Sequence, residues 1–421
     1  MYRNILISTL VALLATTTGQ AWADNKSDPV IVHPSGPEAR LIQTVQPGQS
    51  IQAAIDRAAS NGWVFVLPGV YHETGDATNG LNISAPVHLV GLSRPSARVV
   101  LENSGSQHNG IAVVPTARAA CMSCHSSLAP PFPLLQGVIA AASPAPTPTI
   151  TGVSISGITI RAFDNNGLFT EHVDGFSIVD VESVDNKNYG IFPTQSKNGV
   201  ISHSRATGSG DTGVWVETST NVLVTGNVVE DNVVGIEVSN SDGVVVDHNE
   251  SRNNAVGVGV FLLPGLFATH PGARHITVQN NSIHDNNRAN GASPSSILGF
   301  LPSGTGILLF GADQSNISGN SVASNDTTGI AVVDVCVAFA GTSFDCSTDP
   351  NATPQFLADQ GATGNAIARN ALRQNGTNPP PGPFAFAAGD LSLLSFGAGN
   401  CFFANAYATS FSITGTLPSC R

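Results

Sequence analysis

The chain has 421 residues and a formal net charge of −12 at pH 7, with 43 glycines and only two methionines. Its acidic balance argues against nucleic acids and anionic membranes as partners. The abundance of Gly, Asn, Ser, Thr and Val favours turn-rich β-structure.

The first 23 residues have the pattern of a signal peptide. Arg3 precedes an apolar run from Ile5 to Ala15, and Ala21-Trp22-Ala23 forms a small-x-small cleavage site. The apolar run is short for a membrane span, and no later segment reaches 18 consecutive apolar residues. We therefore predict an exported protein, periplasmic, cell-surface or secreted, whose mature chain (residues 24–421) has no membrane span.

A short helix is predicted at about residues 50–60. Ser50 is an N-cap candidate, and the following residues place apolar side chains on one helical face: Ile51, Ala54, Ile55, Ala58 and Ala59. We expect this helix to close the starting end of the fold, with Trp63–Leu67 as the first strand.

Residues 117–149 form a Pro- and Ala-rich loop insertion that contains Cys121-Met-Ser-Cys124-His125. C-x-x-C-H is the attachment pattern of c-type haem, in which two thiols bind the porphyrin and the histidine ligates iron. The flanking composition does not suggest a haem-packing domain, and the mature chain has no methionine outside the motif. A local disulfide or an incidental spacing is the alternative interpretation.

From residue 152 to about 376 a glycine followed by alternating apolar residues recurs, mostly every 22 or 23 residues. The repeating glycines are Gly167, Gly190, Gly213, Gly235, Gly257, Gly306 and Gly329, with one gap of 49 residues. Alternation of period two predicts strands, and three short strands with their turns use about 22 residues. This predicts an all-β, right-handed single-stranded parallel β-helix, in which the glycines serve corners that need positive φ.

Paired asparagines support the same repeat. The first members are Asn227, Asn249, Asn281, Asn320 and Asn370, and each is followed five residues later by another asparagine. We expect these side chains to stack as hydrogen-bonded ladders between coils.

The strand after each glycine supplies the main candidate site. If the first and third residues after glycine point inward, the second and fourth point outward. The outward set contains the aromatic residues Phe169, Phe192, Trp215 and Phe261 and the acids Glu171, Glu217 and Glu237. Such a strip is typical of polysaccharide binding. Glu217 and Glu237 would lie about 8 Å apart by strand geometry, in the range of an inverting acid/base pair. The alternative is that loops of residues 263–303 cover the aromatic residues and that the acids are merely solvated.

Calcium is a further candidate ligand. Two sets of acids on neighbouring turns could collect a hard cation: Asp180, Glu182 and Asp185, or Asp164, Glu171 and Asp174. The histidines show no metal-ligand spacing, so turn and surface roles are expected for them.

The far end, residues 377–421, is predicted to be an irregular cap. An even cysteine count in an exported chain suggests disulfides, and proximity in sequence favours Cys336 with Cys346 and Cys401 with Cys420. Six cysteines allow 15 pairings, so the pattern alone does not decide among them.

Four segments carry a family resemblance: "YGIFPTQSKNGVISHSRATGSGDTGVWV", "VVGIEVSNSDGVVVDHN", "FLLPGLFATHPGARHITVQNNSIHDNN" and "LPSGTGILLF". This region resembles a family of exported bacterial parallel β-helix repeat proteins within the pectate-lyase-like superfamily, whose function is unsettled. The resemblance implies a periplasmic or surface location and a c-type cytochrome as a possible partner. More distantly the pattern resembles polygalacturonases and alginate epimerases, but their catalytic motifs are missing from this sequence.

Two functions follow from these observations. The first is a non-catalytic binding or scaffold protein of the cell envelope that recognises carbohydrate or a protein partner on the outward strand face. The second is a carbohydrate-active enzyme, a hydrolase, lyase or epimerase, that uses Glu217 and Glu237.

Overall fold

The computed structural model describes residues 41–58, 60–115, 148–382 and 384–420, which belong to one unit beginning at Leu41. Within it the chain winds as a right-handed parallel β-helix. Three strands and three turns complete a coil, and each strand pairs in parallel with its counterpart in the next coil. The predicted fold is confirmed.

The strands form three sheets. Sheet A contains β1 Ile42–Val45, β2 Gly62–Val66, β5 Val87–Gly91, β8 Ile150–Ser156, β11 Val173–Val179, β14 Lys197–Ser202, β17 Thr220–Thr225, β20 Val245–Asp247, β23 Thr277–Gln279, β26 Asn316–Ser318, β29 Ala366–Ala368 and β32 Cys401–Phe403. Sheet B contains β3 Gly69–Tyr71, β6 Val99–Glu102, β9 Ile158–Arg161, β12 Glu182–Val184, β15 Arg205–Thr207, β18 Val228–Glu230, β21 Glu250–Arg252, β24 Ser282–His284, β27 Ser321–Ala323 and β30 Ala371–Arg373. Sheet C contains β4 Asn79–Ile83, β7 Asn109–Val113, β10 Leu168–Glu171, β13 Ile191–Thr194, β16 Thr212–Glu217, β19 Val234–Ser239, β22 Val256–Phe261, β25 Thr305–Phe310, β28 Thr328–Val333, β31 Gly389–Leu394 and β33 Ser410–Ser412.

Helices are short and lie at the ends or in the insertions. The α-helices are α1 Ile51–Arg57, α2 Val335–Ala338 and α3 Pro354–Asp359, and 3₁₀ turns occur at Pro264–Leu266, Ile297–Phe300 and Ala385–Ala387. No helix among the described residues has the length and apolar character needed to cross a bilayer.

The starting end differs from the prediction in one respect. Helix α1 begins after Ser50, whose Oγ accepts the backbone N–H of Ala53 at 3.0 Å, as expected for an N-cap. However, β1 precedes the helix and pairs with β2, with Ile42 opposite Trp63. The prediction that Trp63–Leu67 forms the first strand is therefore wrong, because four residues before the helix already extend sheet A.

The repeating glycines stack as predicted, but for a different physical reason. None of them has a positive φ, so the predicted need for a left-handed corner is wrong. A Cβ on Gly213 would lie 2.9 Å from the carbonyl oxygen of Gly235 in the next coil and 2.7 Å from Nδ2 of Asn232. Glycine is required because the neighbouring coil and the asparagine ladder leave no room for a side chain.

Both predicted asparagine ladders are present. Asn227 Nδ2 donates to Asn249 Oδ1 at 3.0 Å, and Asn232 Nδ2 donates to Asn254 Oδ1 at 3.1 Å. Each Oδ1 also accepts the backbone N–H of the asparagine in the preceding coil. At the end of the second ladder Asp390 replaces asparagine and accepts both donors of Asn375. Buried ladders therefore satisfy polar groups at two corners of the coils from Asn227 to Asn375.

The three sheets differ in how they meet solvent. Strands of sheets A and B alternate between buried and partly exposed residues, whereas β16, β19, β22, β25, β28 and β31 of sheet C are buried along their whole length. The long insertions 262–276, 285–304, 334–365 and 374–388 each begin or end at a strand of sheet C. Sheet C is thus the one whose outer face is covered.

Both predicted disulfides are formed. Cys336 pairs with Cys346 within the insertion that follows β28, and Cys401 pairs with Cys420 at the C-terminal end. The first holds the insertion together, and the second ties the chain end to the last strand of sheet A.

Candidate functional site

The predicted outward residues do share one face of sheet C. Phe169 pairs with Phe192, and Trp215 pairs with Glu237. Glu217 is opposite Ser239, which places it two residues away from Glu237 on the neighbouring strand, as the sequence predicts. Sheet register therefore brings the aromatic and acidic residues of four successive coils together.

This face is withdrawn from solvent. Each residue of the predicted strip is at most 5% exposed: Phe169, Glu171, Phe192, Trp215, Glu217, Glu237 and Phe261. The strip is therefore a buried layer on the outer side of sheet C, and it does not form an open groove.

The rings on this face pack against one another. Phe192 and Trp215 stack with ring centroids 4.4 Å apart and planes 7° apart, and Tyr189 lies 4.6 Å from Trp215 and 4.8 Å from Phe192. Such contacts stabilise aromatic pairs by about 0.5–1.5 kcal/mol beyond area burial. Neighbouring rings thus occupy the indole surface that a sugar would need for stacking.

Glu237 is held by two hydroxyl groups. Ser239 Oγ donates to Glu237 Oε1 at 2.6 Å and accepts from the indole Nε1 of Trp215 at 3.1 Å. Thr212 Oγ1 lies 2.9 Å from Glu237 Oε2 and 2.9 Å from Asp211 Oδ1. Both carboxyl oxygens of Glu237 therefore have partners inside the protein.

Desolvation favours the protonated forms of Glu237 and Asp211. Desolvation, with a further contribution from Asp211, raises the pKa of Glu237 to about 8, and desolvation raises the pKa of Asp211 to about 7. A threonine hydroxyl has one proton, so Thr212 can donate to only one of its two neighbours. With Glu237 protonated, its O–H donates to Thr212, and Thr212 donates to Asp211. Trp215, Ser239, Glu237, Thr212 and Asp211 then form one directional chain of hydrogen bonds.

Tyr189 and Asp211 are members of this site that sequence reasoning missed. Desolvation and the nearby acids Asp211, Glu237 and Glu217 raise the pKa of Tyr189 well above its ordinary value. Tyr189 lies one residue before Gly190 and Asp211 lies two residues before Gly213, so counting outward positions after glycine omits both. Together with Phe192, Trp215, Glu217 and Glu237 they are called the acid–aromatic cluster.

Glu217 has its own hydroxyl partner. Thr194 Oγ1 donates to Glu217 Oε2, and Thr218 Oγ1 lies 3.2 Å from Thr194 Oγ1. Thr218 occupies a left-handed corner with φ of 42°. A hydroxyl group of the preceding coil therefore holds one carboxylate oxygen of Glu217.

Phenylalanines close the C-terminal half of the same face. Phe310 of β25 contacts Phe339 at 5.0 Å, and Phe300 contacts Phe339 and Phe344 at 6.4 and 5.5 Å. Phe300 comes from the insertion before β25, and the other two come from the insertion after β28. Two insertions therefore interlock over sheet C.

Three of the six predicted calcium ligands form ion pairs with basic side chains. Asp164 pairs with Lys187 at 2.6 Å, Asp174 with Lys197 at 3.4 Å, and Glu182 with Arg98 at 3.2 Å. Among the described residues no group of three or more His, Cys, Asp or Glu side chains is placed to hold a metal ion. Four histidines, His172, His203, His248 and His275, occupy left-handed turns with φ of 51–55°.

The haem candidate Cys121, Cys124 and His125 lies outside the described residues. Its predicted chemistry therefore stays a prediction.

Comparison with solved structures finds the same fold in proteins of low sequence identity. The A-module of mannuronan C-5 epimerase AlgE6 from Azotobacter vinelandii is 17% identical over 88% of this chain and 94% of its own, with a TM-score of 0.52. The AlgE4 A-module from the same organism is 16% identical over 86% of this chain and 94% of its own, also with a TM-score of 0.52. ORF18 of Geobacillus virus E2 is 13% identical over 88% of this chain and 62% of its own, with a TM-score of 0.50. These similarities show the β-helix fold alone.

The curated proteins contain no match to this sequence. A family model described as "Periplasmic copper-binding protein (NosD)" matches residues 151–379, the repeat core and its insertions. This match spans more than half of the sequence, so the chain belongs to the NosD family of periplasmic β-helix proteins.

Proposed function

We propose that this periplasmic β-helix protein is a non-catalytic binding or scaffold protein, and that it recognises an envelope polysaccharide or protein on the side that carries sheet C. The observation that supports this most strongly is the closed chain of hydrogen bonds through Glu237. An acid/base catalyst needs a carboxyl oxygen within reach of substrate, directly or through one water. Both oxygens of Glu237 are instead held by Ser239 and Thr212.

The insertions support recognition on this side. Long loops on one flank of a solenoid are commonly its binding surface. Here they are structured, since Phe300 packs on Phe339 and the Cys336–Cys346 disulfide closes the insertion after β28. A preformed surface loses little conformational entropy when a partner binds.

The family description names copper, but the described residues do not fit a copper site. They contain no cluster of three metal-ligating side chains, and their four cysteines are oxidised in disulfides. Soft copper ligands are thiolate, thioether and imidazole groups.

The raised pKa values favour a second candidate, a carbohydrate-active hydrolase, lyase or epimerase. Groups with strongly perturbed pKa values concentrate at active sites, and Asp211 and Glu237 are two such groups on one sheet face. The AlgE6 and AlgE4 modules, which share the fold, are named as mannuronan epimerases. In this alternative Glu237 would be the acid and Glu217 its partner.

Turnover and binding assays separate the two functions. The signal-processed protein is incubated with mannuronan, pectate and neutral polysaccharides, with NMR detection of epimerisation and absorbance detection of unsaturated ends. We expect no turnover, and we expect a glycan array or periplasmic cross-linking to identify a binding partner. The enzyme hypothesis would be established instead by turnover that is lost in Glu217→Gln and also lost in Glu237→Gln. The control variant Glu250→Gln, in sheet B, should keep that turnover.

The C-x-x-C-H motif adds a further expectation to either function. We infer that a chain with this motif can receive c-type haem during periplasmic maturation, and that a c-type cytochrome is a candidate partner. A visible absorption spectrum of protein matured in the periplasm tests for attached haem, independently of the polysaccharide assays.

A further inference from the structure

An apolar cleft lies on the outer face of sheet C, above strands β25, β28 and β31. Leu308, Ala331 and Ser392 line it and occupy the same outward position in these three strands, and Phe411 of β33 follows them in register. Two small residues thus lie between two large ones. The small side chains of Ala331 and Ser392 leave a recess in the face of the sheet.

Three insertions supply the walls of this cleft. Phe300, Phe339 and Phe384 line it, and they come from the insertions that precede β25, follow β28 and precede β31. Phe339 is buried, whereas Phe300 and Phe384 are partly exposed. Phe386, two residues after Phe384, is 64% exposed and packs against Phe411 with ring centroids 5.3 Å apart. An exposed ring therefore continues the apolar surface beyond Ser392, along the same outer face of sheet C.

The hydroxyl groups in the cleft have no proton left for a ligand. Ser392 donates its proton to a carbonyl oxygen, so in its contact with Thr328 it is Thr328 that donates. Every hydroxyl proton is used within the protein: Ser392 Oγ donates to Ala387 O at 2.6 Å, Thr328 Oγ1 to Ser392 Oγ at 3.2 Å, Thr305 Oγ1 to Pro302 O at 2.8 Å and Thr327 Oγ1 to Ser303 O at 2.6 Å. None of the described residues that line the cleft carries a charge. The cleft therefore suits a hydrocarbon group and offers a sugar no donor.

The size of the cleft decides which hydrocarbon fits. Its volume is about 30 Å³, which is room for roughly one or two groups of the size of water or methyl. A long acyl chain does not fit in this space. The forked end of a leucine or isoleucine side chain does, because it consists of one or two methyl groups.

We propose that this cleft is the docking point of a protein partner, which inserts one leucine or isoleucine side chain over Ala331 and Ser392 and covers Phe386. The inference rests on the proposed binding function of the side that carries sheet C, and it selects a protein over a polysaccharide as the partner. A side chain that fills a pocket, surrounded by contacts that exclude water, is the usual anchor of a protein interface.

Charge supports a protein partner with an apolar contact surface. Between Gly376 and Cys420 the sequence has one charged residue, Asp390, and it is 1% exposed. The surface around Phe386 therefore meets its partner without charges, although the whole chain carries a net charge of −12. Depletion of charged residues and enrichment of aromatic residues are the features of interface cores.

Methyl NMR of protein labelled at alanine and leucine tests the proposal with three probes: acetyl-Ser-Leu-Ser-amide, acetyl-Ser-Ala-Ser-amide and cellohexaose. We expect the leucine peptide to shift the methyl signals of Ala331 and Leu394, which both line the cleft. It should bind at least about tenfold more tightly than the alanine peptide, because each buried methylene contributes roughly fourfold in affinity. The signal of Leu357, which is exposed in α3, should not move.

Two variants locate the binding at this cleft. Ala331→Val fills the recess and should abolish the response of the Leu394 signal, whereas Phe386→Ser should weaken it. Ala366→Val is the matched control, because Ala366 lies in β29 of sheet A, away from the cleft, and its substitution should leave peptide binding unchanged. The methyl spectrum of each free variant verifies its fold.

Three results would overturn the proposal: cleft signals that the leucine peptide leaves unchanged, equal binding of the alanine peptide, or an Ala331→Val protein that binds as wild type does. Larger shifts with cellohexaose would assign the cleft to a polysaccharide, and self-association that Ala331→Val abolishes would assign it to a second copy of the chain. Either result would replace the protein partner. Polysaccharide turnover would instead defeat the proposed function itself, so the two failures are distinguishable.

Discussion

Replacing Glu237 by glutamine removes a titrating proton from the chain of hydrogen bonds between Trp215 and Asp211. Glutamine resembles the protonated acid: its carbonyl oxygen accepts from Ser239, and its amide donates to Thr212. Unlike the acid, it carries no charge at any pH. We therefore predict that Glu237→Gln stabilises the protein at pH 8 and leaves its stability nearly unchanged at pH 4.5.

The direction of this change in stability follows from proton linkage. Burial raises the pKa of Glu237 from 4.5 to about 8, so the folded state keeps a proton that the unfolded state has already released. The stability contributed by the protonated acid is fully present below pH 4.5 and is lost as pH rises through about 8. The whole shift corresponds to about 5 kcal/mol. Structural relaxation and water entry around the new charge reduce the measurable gain of the variant to about 2–3 kcal/mol at pH 8.

Trp215 provides a local reporter for this experiment. In a Trp63→Phe protein of residues 24–421, Trp215 is the sole tryptophan. Urea unfolding is followed by its fluorescence at both pH values. Glu250→Gln is the control, because the Glu250 side chain is 43% exposed. Its substitution should change the free energy of unfolding by less than about 0.5–1 kcal/mol at either pH. The reasoning would be refuted if Glu237→Gln were no more stable than wild type at pH 8. It would also be refuted if the substitution stabilised the protein as much at pH 4.5 as at pH 8.

Three further predictions concern the coils and the haem motif. Gly213→Ala should destabilise the protein by about 2–3 kcal/mol, because its Cβ would meet the next coil, whereas Gly291→Ala has free space and should be neutral in thermal unfolding. Asn281→Ala should cost about 3 kcal/mol by denaturant unfolding, because two donors of the preceding ladder residue lose their acceptor. Asn316→Ala on the exposed face is the matched control, and equal costs at the two sites would contradict the role of the ladder. If Cys121, Cys124 and His125 attach haem, protein matured in the periplasm shows a Soret band that His125→Ala alters. A wild-type spectrum without the band, or an intact Cys121–Cys124 disulfide, would discard the haem prediction.

Repetition made most of the fold predictable from sequence. A coil that stacks on its neighbour imposes the same constraint at the same position. Glycine and asparagine therefore recur in register even where two insertions lengthen the glycine spacing to 49 residues. The reason for each glycine was not predictable, because it depends on the carbonyl and amide groups of the adjacent coil. β1 was missed because it is a single short strand outside the repeat.

The site was only partly predictable for a related reason. Alternation from glycine correctly placed Trp215, Glu217 and Glu237 on one face, since strand periodicity fixes direction. It could not show that this face is buried, because burial depends on what lies over the sheet. Tyr189 and Asp211 belong to no repeating column. Desolvation raises the pKa of both groups, and the acids Asp211, Glu237 and Glu217 raise that of Tyr189 further.

Solvent access to Trp215 tests the central claim most directly, because a closed acid–aromatic cluster distinguishes the binding protein from the enzyme. In the Trp63→Phe protein of residues 24–421 we predict a blue-shifted emission maximum of Trp215 and weak quenching by acrylamide. A red-shifted emission that acrylamide quenches freely would show an open face at Glu237 and contradict the account.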